Sequence, residues 1–222
     1  MATIKKVIER DCVQDENRRL RMQADIRQLL GQALLSIDAA TADLVLNSMT
    51  EIERYPTQCF KSYQIYRIYH PNPYRPIAFY IGFAVGETVY ILTGNPEDYI
   101  DCARADHIVI DTPEIAADYA STYLVTTRNP SELFYLVQSA DEAKFFPNPD
   151  AEESEQIAAF LYKYRSVITP LSAKPVDSDF LVIVYAIRQQ TLERHYLTVS
   201  RNGAIEVRID LLERDLPLVY GL

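Results

Sequence analysis

Hydrophobic and polar positions alternate most cleanly near the C-terminal end of the chain. The run RHYLTVS puts His195, Leu197 and Val199 on one face, and AIEVRIDLL puts Ile205, Val207, Ile209 and Leu211 on one face. Residues i, i+2 and i+4 of a strand share a side, so these runs predict two half-buried strands. The segment between them sets their register. A two-residue Asn202-Gly203 loop would place Val199 against Glu206, apolar against charged. A three-residue loop, Arg201-Asn202-Gly203, places Val199 against Ile205 and Leu197 against Val207. The apolar pattern selects the second, with a type I turn and Gly203 in the left-handed region as a G1 bulge. In this register His195 sits across from Ile209, and Arg194 with Asp210 and Tyr196 with Arg208 pair on the solvent face. The preceding run, 180–187, is apolar on both faces, as a central strand requires.

Earlier in the chain the period changes. Met22, Ile26, Leu29, Leu30, Ala33, Leu34 and Ile37 recur at three- and four-residue steps and predict an amphipathic helix. Leu44, Val45, Ser48, Met49 and Ile52 predict a second, closed by Pro56. KSYQIYRIYH over 61–70 reads as a strand, and PNPYRP after it as an extended connection. The segments 77–84 and 88–93 form a hairpin around Gly86, the first of them apolar on both faces. Asn95-Pro96-Glu97-Asp98 reads as a helix start with an asparagine cap and proline at N1, and Thr112-Pro113-Glu114 opens another in the same way. The second of these buries Ile115, Ala116, Tyr119, Ala120, Tyr123 and Leu124. Between them 107–110 reads as a brief edge strand. A short strand follows at 133–137. Asp150 with Glu153 makes a capping box for a helix burying Ile157, Phe160, Leu161 and Tyr164, and 171–177 leads into the C-terminal sheet.

Runs of helix followed by antiparallel strands place the chain in the α+β class: curved antiparallel sheets packed on helices, in two similar helix-then-strands halves. Length suits one large domain or two small ones, with the halves at 1–110 and 111–222. The element order resembles cystatin-like and NTF2-like proteins, in which a curved sheet wraps a helix. That resemblance covers order alone and implies nothing about activity.

Composition narrows the function classes. The chain has 222 residues and a formal net charge of −9. Ten acids against Arg128 and Lys144 in 111–156 account for nearly all of it. The one basic cluster, Arg18, Arg19 and Arg21, lies beside Asp15, Glu16 and Asp25, so no concentrated basic face for nucleic acid is present. No run approaches a membrane span, and no signal-peptide pattern opens the chain. Cys12, Cys59 and Cys102 are dispersed, which argues against a disulfide framework or zinc site and for a reducing, cytoplasmic setting.

Nucleotide-binding, zinc-protease and serine-hydrolase motifs are missing. The sequence therefore calls for no cofactor, no metal and no catalytic residues. The acidic stretch reads as helix caps and exposed faces, since DAEESE has neither the alternating ligands nor the turn glycine of a calcium loop. The strongest binding candidate is the Tyr/Arg-rich stretch holding Tyr66, Arg67, Tyr69, His70, Tyr74 and Arg75. Tyrosine and arginine carry large area with a polar end, and prolines lower the ordering cost. On this basis the expected function is a non-enzymatic binding, oligomeric or accessory module, contacting a protein partner or a second copy. The alternative is a small-molecule binder or enzyme with a pocket between sheet and helices, drawing on His195, Tyr196 and Arg208, or on His70. Strand parity sends Asp210 to the far face. Glu193, two residues from His195 at the start of its strand, is not expected to orient the ring, and His195 is expected to be inert.

Overall fold

The computed structural model describes residues 25–219. It opens on a helix at 25–34 (α1) and the helix Ala39–Leu46 (α2). Four strands follow: Glu51–Tyr55 (β1), Gln64–His70 (β2), Ile77–Phe83 (β3) and Tyr90–Ile91 (β4). Helices Pro96–Ala105 (α3) and Pro113–Thr126 (α4) lead to Phe134–Val137 (β5), a 3-10 turn at Ala140–Glu142 and helix Ala151–Tyr164 (α5). The chain ends in Ser172–Val176 (β6), Asp179–Arg188 (β7), Thr191–Val199 (β8) and Ile205–Glu213 (β9). The fold is α+β with two antiparallel sheets, neither closed into a barrel. The first sheet has the order β1-β2-β3-β4. The second has the order β5-β7-β8-β9, with β6 pairing the other half of the β7 edge.

Three apolar clusters define the layers. Ile52, Ile68, Phe79 and Ile81 of the first sheet pack against Leu30 and Leu34 of α1 and Val45 of α2. The opposite face of that sheet, through Ile65 and Tyr80, joins Tyr99 of α3, Tyr119 of α4 and the inward residues Val182, Val184 and Leu197 of the second sheet. This largest cluster draws on both halves of the chain. The outward face of the second sheet, through Tyr185 and Ile187, meets Phe160 and Tyr164 of α5. Burial pushes the Cys59 thiol up to about 12 and the Cys102 thiol higher still, so both are inert packing residues. Among the described residues no helix is long and apolar enough to cross a membrane; Met22 and Cys12 lie outside them.

The C-terminal register is the one the apolar pattern selects. Val199 faces Ile205, His195 faces Ile209, Arg194 faces Asp210 and Tyr196 faces Arg208. Gly203 has φ +86°, the N–H of Gly203 donates to Ser200 O and that of Ser200 to Ala204 O. The turn is also docked: Tyr119 Oη donates to Gly203 O at 2.7 Å, and Ile110 N to Arg201 O at 2.9 Å. β7 is central, paired on both sides. The Thr112 cap and the Asp150–Glu153 capping box form as read.

Several local readings are corrected. The second amphipathic stretch is a helix only to Leu46; Ile52 belongs to β1, and Met49 is exposed. EIERY has a single buried residue, so its strand state comes from pairing with β2, not from its own pattern. The segment 171–177 contains β6, with Pro175 tolerated because the strand lies at an edge. The segment 107–110 is not a strand: His107 has φ +49°, and Ile108 and Ile110 are buried in a loop against the β8–β9 turn. Asn95 does not cap α3 with its side chain, which donates instead to Ile91 O. Val207, Ile209 and Leu211 are 41%, 44% and 50% exposed, because β9 is an edge strand and no helix covers that part of its inner face.

Gly203 is held by two constraints. Its φ lies where side chains are strained, and an added Cβ would come within 2.8 Å of Ile108 Cδ1 and 3.0 Å of the Tyr119 hydroxyl oxygen. Gly203→Val should lower stability by about 2–3 kcal/mol, read from urea unfolding. Unchanged stability would contradict the docked turn.

Candidate functional site

At the start of β8 a charged residue sits where the strand alternation calls for an apolar one. Glu193 and His195 both point inward, on the face that carries Leu197 and Val199, and a bulge at Leu192/Glu193 opens the pairing with β9 beside them. His195 is completely buried and Glu193 nearly so. Glu193 Oε2 lies 2.8 Å from His195 Nε2. The last residue of β7, Arg188, donates through Nε to both oxygens of Glu193 at 3.1 and 3.2 Å, and through Nη1 to Glu132 Oε2 at 2.8 Å. The Phe134 ring closes the group from the side: the Arg188 guanidinium lies 5.1 Å from its centroid and the His195 ring meets it edge-on. The result is a chain Glu132–Arg188–Glu193–His195 running from the surface into the core.

Electrostatics fixes part of its protonation. Burial by itself would raise the Glu193 carboxyl. The hydrogen bond from His195 and the Arg188 charge together outweigh it and hold the group below its ordinary value. An ionised carboxylate only accepts, so His195 Nε2 carries the proton in that hydrogen bond. The other ring nitrogen, Nδ1, is buried and has no protein partner. In the neutral ring it is a bare acceptor.

His195 forms part of the floor of a half-open cavity of about 210 Å³, where α4 ends above the second sheet. Tyr123 and Leu124 of α4 with Thr127, the residue that caps its end, form one wall, and Val207 and Ile209 of β9 form an apolar wall opposite. Arg188 and Phe134 complete the floor, with Arg128 and Asn129 at the rim. Arg128 is half-buried, donates to Phe134 O at 2.9 Å and has no ion-pair partner among the described residues. The lining has no ready nucleophile. The Thr127 hydroxyl donates to Tyr123 O at 2.7 Å, and burial pushes the Tyr123 phenol up. The chemistry on offer is recognition: a cationic fork, a buried imidazole acceptor and an apolar wall. Among the described residues no group of three or more His, Cys, Asp or Glu is placed to hold a metal.

The sequence placed His195, Tyr196 and Arg208 in one pocket. Strand parity separates them. Tyr196 and Arg208 lie on the opposite face, where Arg208 sits 4.1 Å and Arg194 5.0 Å from the Tyr196 ring centroid and Arg194 meets Asp210 at 3.0 Å. The Tyr/Arg-rich stretch divides too. Tyr66 joins the α1/α2 side of β2. His70, on the same side, pairs its Nδ1 with Thr50 Oγ1 at 2.9 Å. Because that hydroxyl donates to Leu44 O, His70 Nδ1 is the donor. Arg67 and Tyr69 occupy the other face, with Arg67 bonded to Glu53 at 3.2 Å and lying over the Tyr69 ring. Tyr74 and Arg75 stand apart at the hairpin tip, where Asn72 Oδ1 accepts from both backbone N–H groups.

The expectation that His195 lacks an orienting carboxylate is overturned. Glu193 is two residues away, but its carboxylate reaches the ring and Arg188 holds it there. Arg188, Glu132 and Arg128 were missed as well. One signal was readable: Glu193 and His195 share a strand face with apolar residues, and an inward glutamate beside an inward histidine needs a partner.

No family model, curated protein or solved structure matches the chain.

Removing Glu193 takes the hydrogen-bond partner from a buried histidine and one of the two ion-pair partners from Arg188. Glu193→Ala should cost about 3–5 kcal/mol in chemical denaturation. The folded-state value of Glu193 is lowered, so its contribution is present above the ordinary 4.5 and is lost as pH falls below it. Glu193→Gln should show a shallower loss of stability on acidification than the parent. Parallel acid profiles for the two proteins would contradict the ion pair.

Proposed function

We propose that the protein is a small-ligand-binding module whose site is the cavity between the end of α4 and strands β8 and β9. The observation that carries this reading is a fully buried imidazole with one nitrogen tied to Glu193 and the other without a protein partner, at the floor of a cavity that also holds Arg128. Buried polar groups are rarely left unpaired without a role, and perturbed carboxylates beside a cavity mark functional sites.

The lining specifies the ligand's chemistry. Arg128 suits a carboxylate or phosphate. His195 Nδ1, in the neutral ring, asks for a hydroxyl or N–H donor. Val207, Ile209 and Leu124 suit a short apolar portion. At about 210 Å³ the cavity falls below the roughly 300 Å³ lower bound of drug-sized sites, so the ligand is small. Binding is favoured over catalysis because no lining group is poised for attack. The free, buried thiols of Cys59 and Cys102 support a reducing, cytoplasmic setting.

Isothermal titration with small hydroxy acids and phosphate esters, lactate and glycerol phosphate among them, tests the reading. At least one should bind, and Arg128→Ala should weaken that binding by about 2 kcal/mol while costing only about 1 kcal/mol of stability for the lost bond to Phe134 O. Affinity that survives Arg128→Ala would remove the cavity from consideration.

A second reading rests on Tyr74, which is 97% exposed on a hairpin tip stiffened by three prolines and the Asn72 turn. A rigid exposed tyrosine suits a protein contact. Tyr74→Ala should leave unfolding within about 0.5 kcal/mol of the parent and weaken a complex made through the hairpin by about 2 kcal/mol. A complex indifferent to this substitution would exclude the hairpin.

A further inference from the structure

Strand β9 differs from the other sheet edges. β4 has two residues; β5 has four; β6 carries Lys174 and Pro175; β1 has three charges in five residues. These are the devices by which proteins keep edges from pairing. β9 has nine residues and no proline or lysine, and it exposes Val207, Ile209 and Leu211 along one face. We propose that β9 pairs antiparallel with β9 of a second copy of this chain, about a two-fold axis through Val207.

The backbone supports it. Ser200 N donates to Ala204 O, and hydrogen-bonded pairs alternate along an antiparallel ladder. Ala204, Glu206, Arg208 and Asp210 therefore turn their main-chain groups toward β8. Ile205, Val207 and Ile209 turn theirs toward the open edge, where a Val207–Val207 pair would be doubly hydrogen-bonded.

The side chains choose among the registers. A two-fold axis normal to the sheet pairs each strand with itself about one residue. Centring on Glu206, Arg208 or Asp210 sets that charge against its own copy, and centring on Arg208 also sets Glu206 against Asp210. Centring on Val207 sets Glu206 against Arg208 twice and joins Ile205 to Ile209 on the apolar face. Centring on Ile209 is charge-compatible but draws Glu213 into the pairing, and Glu213 is held at 2.7 Å by Lys163 and 2.8 Å by Tyr164 beyond the bulge. The Val207 register uses only the regular part of β9. Val207 and Ile209 also line the cavity, but the pairing is made through the β9 main chain and its test reads association, not ligand binding.

Sedimentation velocity over a concentration series is the test. The parent chain should form a dimer. Glu206→Lys removes no ion pair or hydrogen bond within the described residues and places like charges opposite each other twice; it should weaken the dimer about tenfold. The double exchange Glu206→Arg with Arg208→Glu restores the pairing in reverse and should recover the parent's affinity. A parent that stays monomeric at the highest concentration overturns the proposal. So does a double exchange no tighter than Glu206→Lys when thermal melting shows both variants folded.

Discussion

The structure depends on how α4 is laid across the second sheet. Its Tyr119 is fully buried, packs its ring at a tilt against that of Tyr99 and donates to the carbonyl of Gly203 in the β8–β9 turn. That bond ties the helix to the far end of a hairpin more than eighty residues later in the chain. It also explains why Gly203 serves both as a left-handed turn residue and as a close-approach site: the turn must bend back and leave room for a phenol. With fourteen residues, α4 spans about 21 Å, and it packs on β6, β7, β5 and β8 without comparable contact to β9. The uncovered strip of β9 and the cavity above His195 follow from that placement.

The polar chain from Glu132 to His195 occupies ground that a wholly apolar core would have filled at less desolvation cost. A buried ion pair is weak evidence of stabilisation, since the Coulomb gain seldom exceeds the cost of leaving water. Here the carboxylate accepts from both His195 and Arg188, and Arg188 is shared with Glu132, so nearly every polar atom is satisfied. The exception is His195 Nδ1, where the chain meets the cavity. The residue that carries the orphan atom also lines the cavity, which is the physical basis for reading the cavity as a site of recognition.

The two sheets manage their edges unequally. Charge, proline and brevity protect β1, β4, β5 and β6, whereas β9 is long and regular and alternates charge outward with apolar residues inward. That alternation matches what the chain needs in order to pair with β8. It also makes the strand self-complementary about Val207, and the proposed pairing between copies rests on the same pattern that specifies the intramolecular register.

Much of the second sheet was legible in the sequence because strand period and turn chemistry are local. The alternation of Leu197 and Val199 against Ile205 and Val207 admitted one loop length, and Gly203 confirmed it. The buried stripe of α4 and the capping box of α5 were readable for the same reason. What could not be read depended on partners distant in the chain. β1 is a strand because β2 pairs with it, and β6 because β7 does; neither EIERY nor SAKPV carries a strong pattern of its own. Parity was also enough to separate His195 from Tyr196 and Arg208, and Tyr66 from Arg67, although composition had grouped them. The candidate site was the least visible. Glu193 could be placed on the face of His195 from sequence, but its ionised state and its bond to the ring required Arg188 from the neighbouring strand. The cavity required the end of α4 to stop short of β9. A sequence specifies which face a side chain takes; only packing decides what meets it there, because charge, burial and hydrogen-bond partners belong to neighbours that sequence separation does not order.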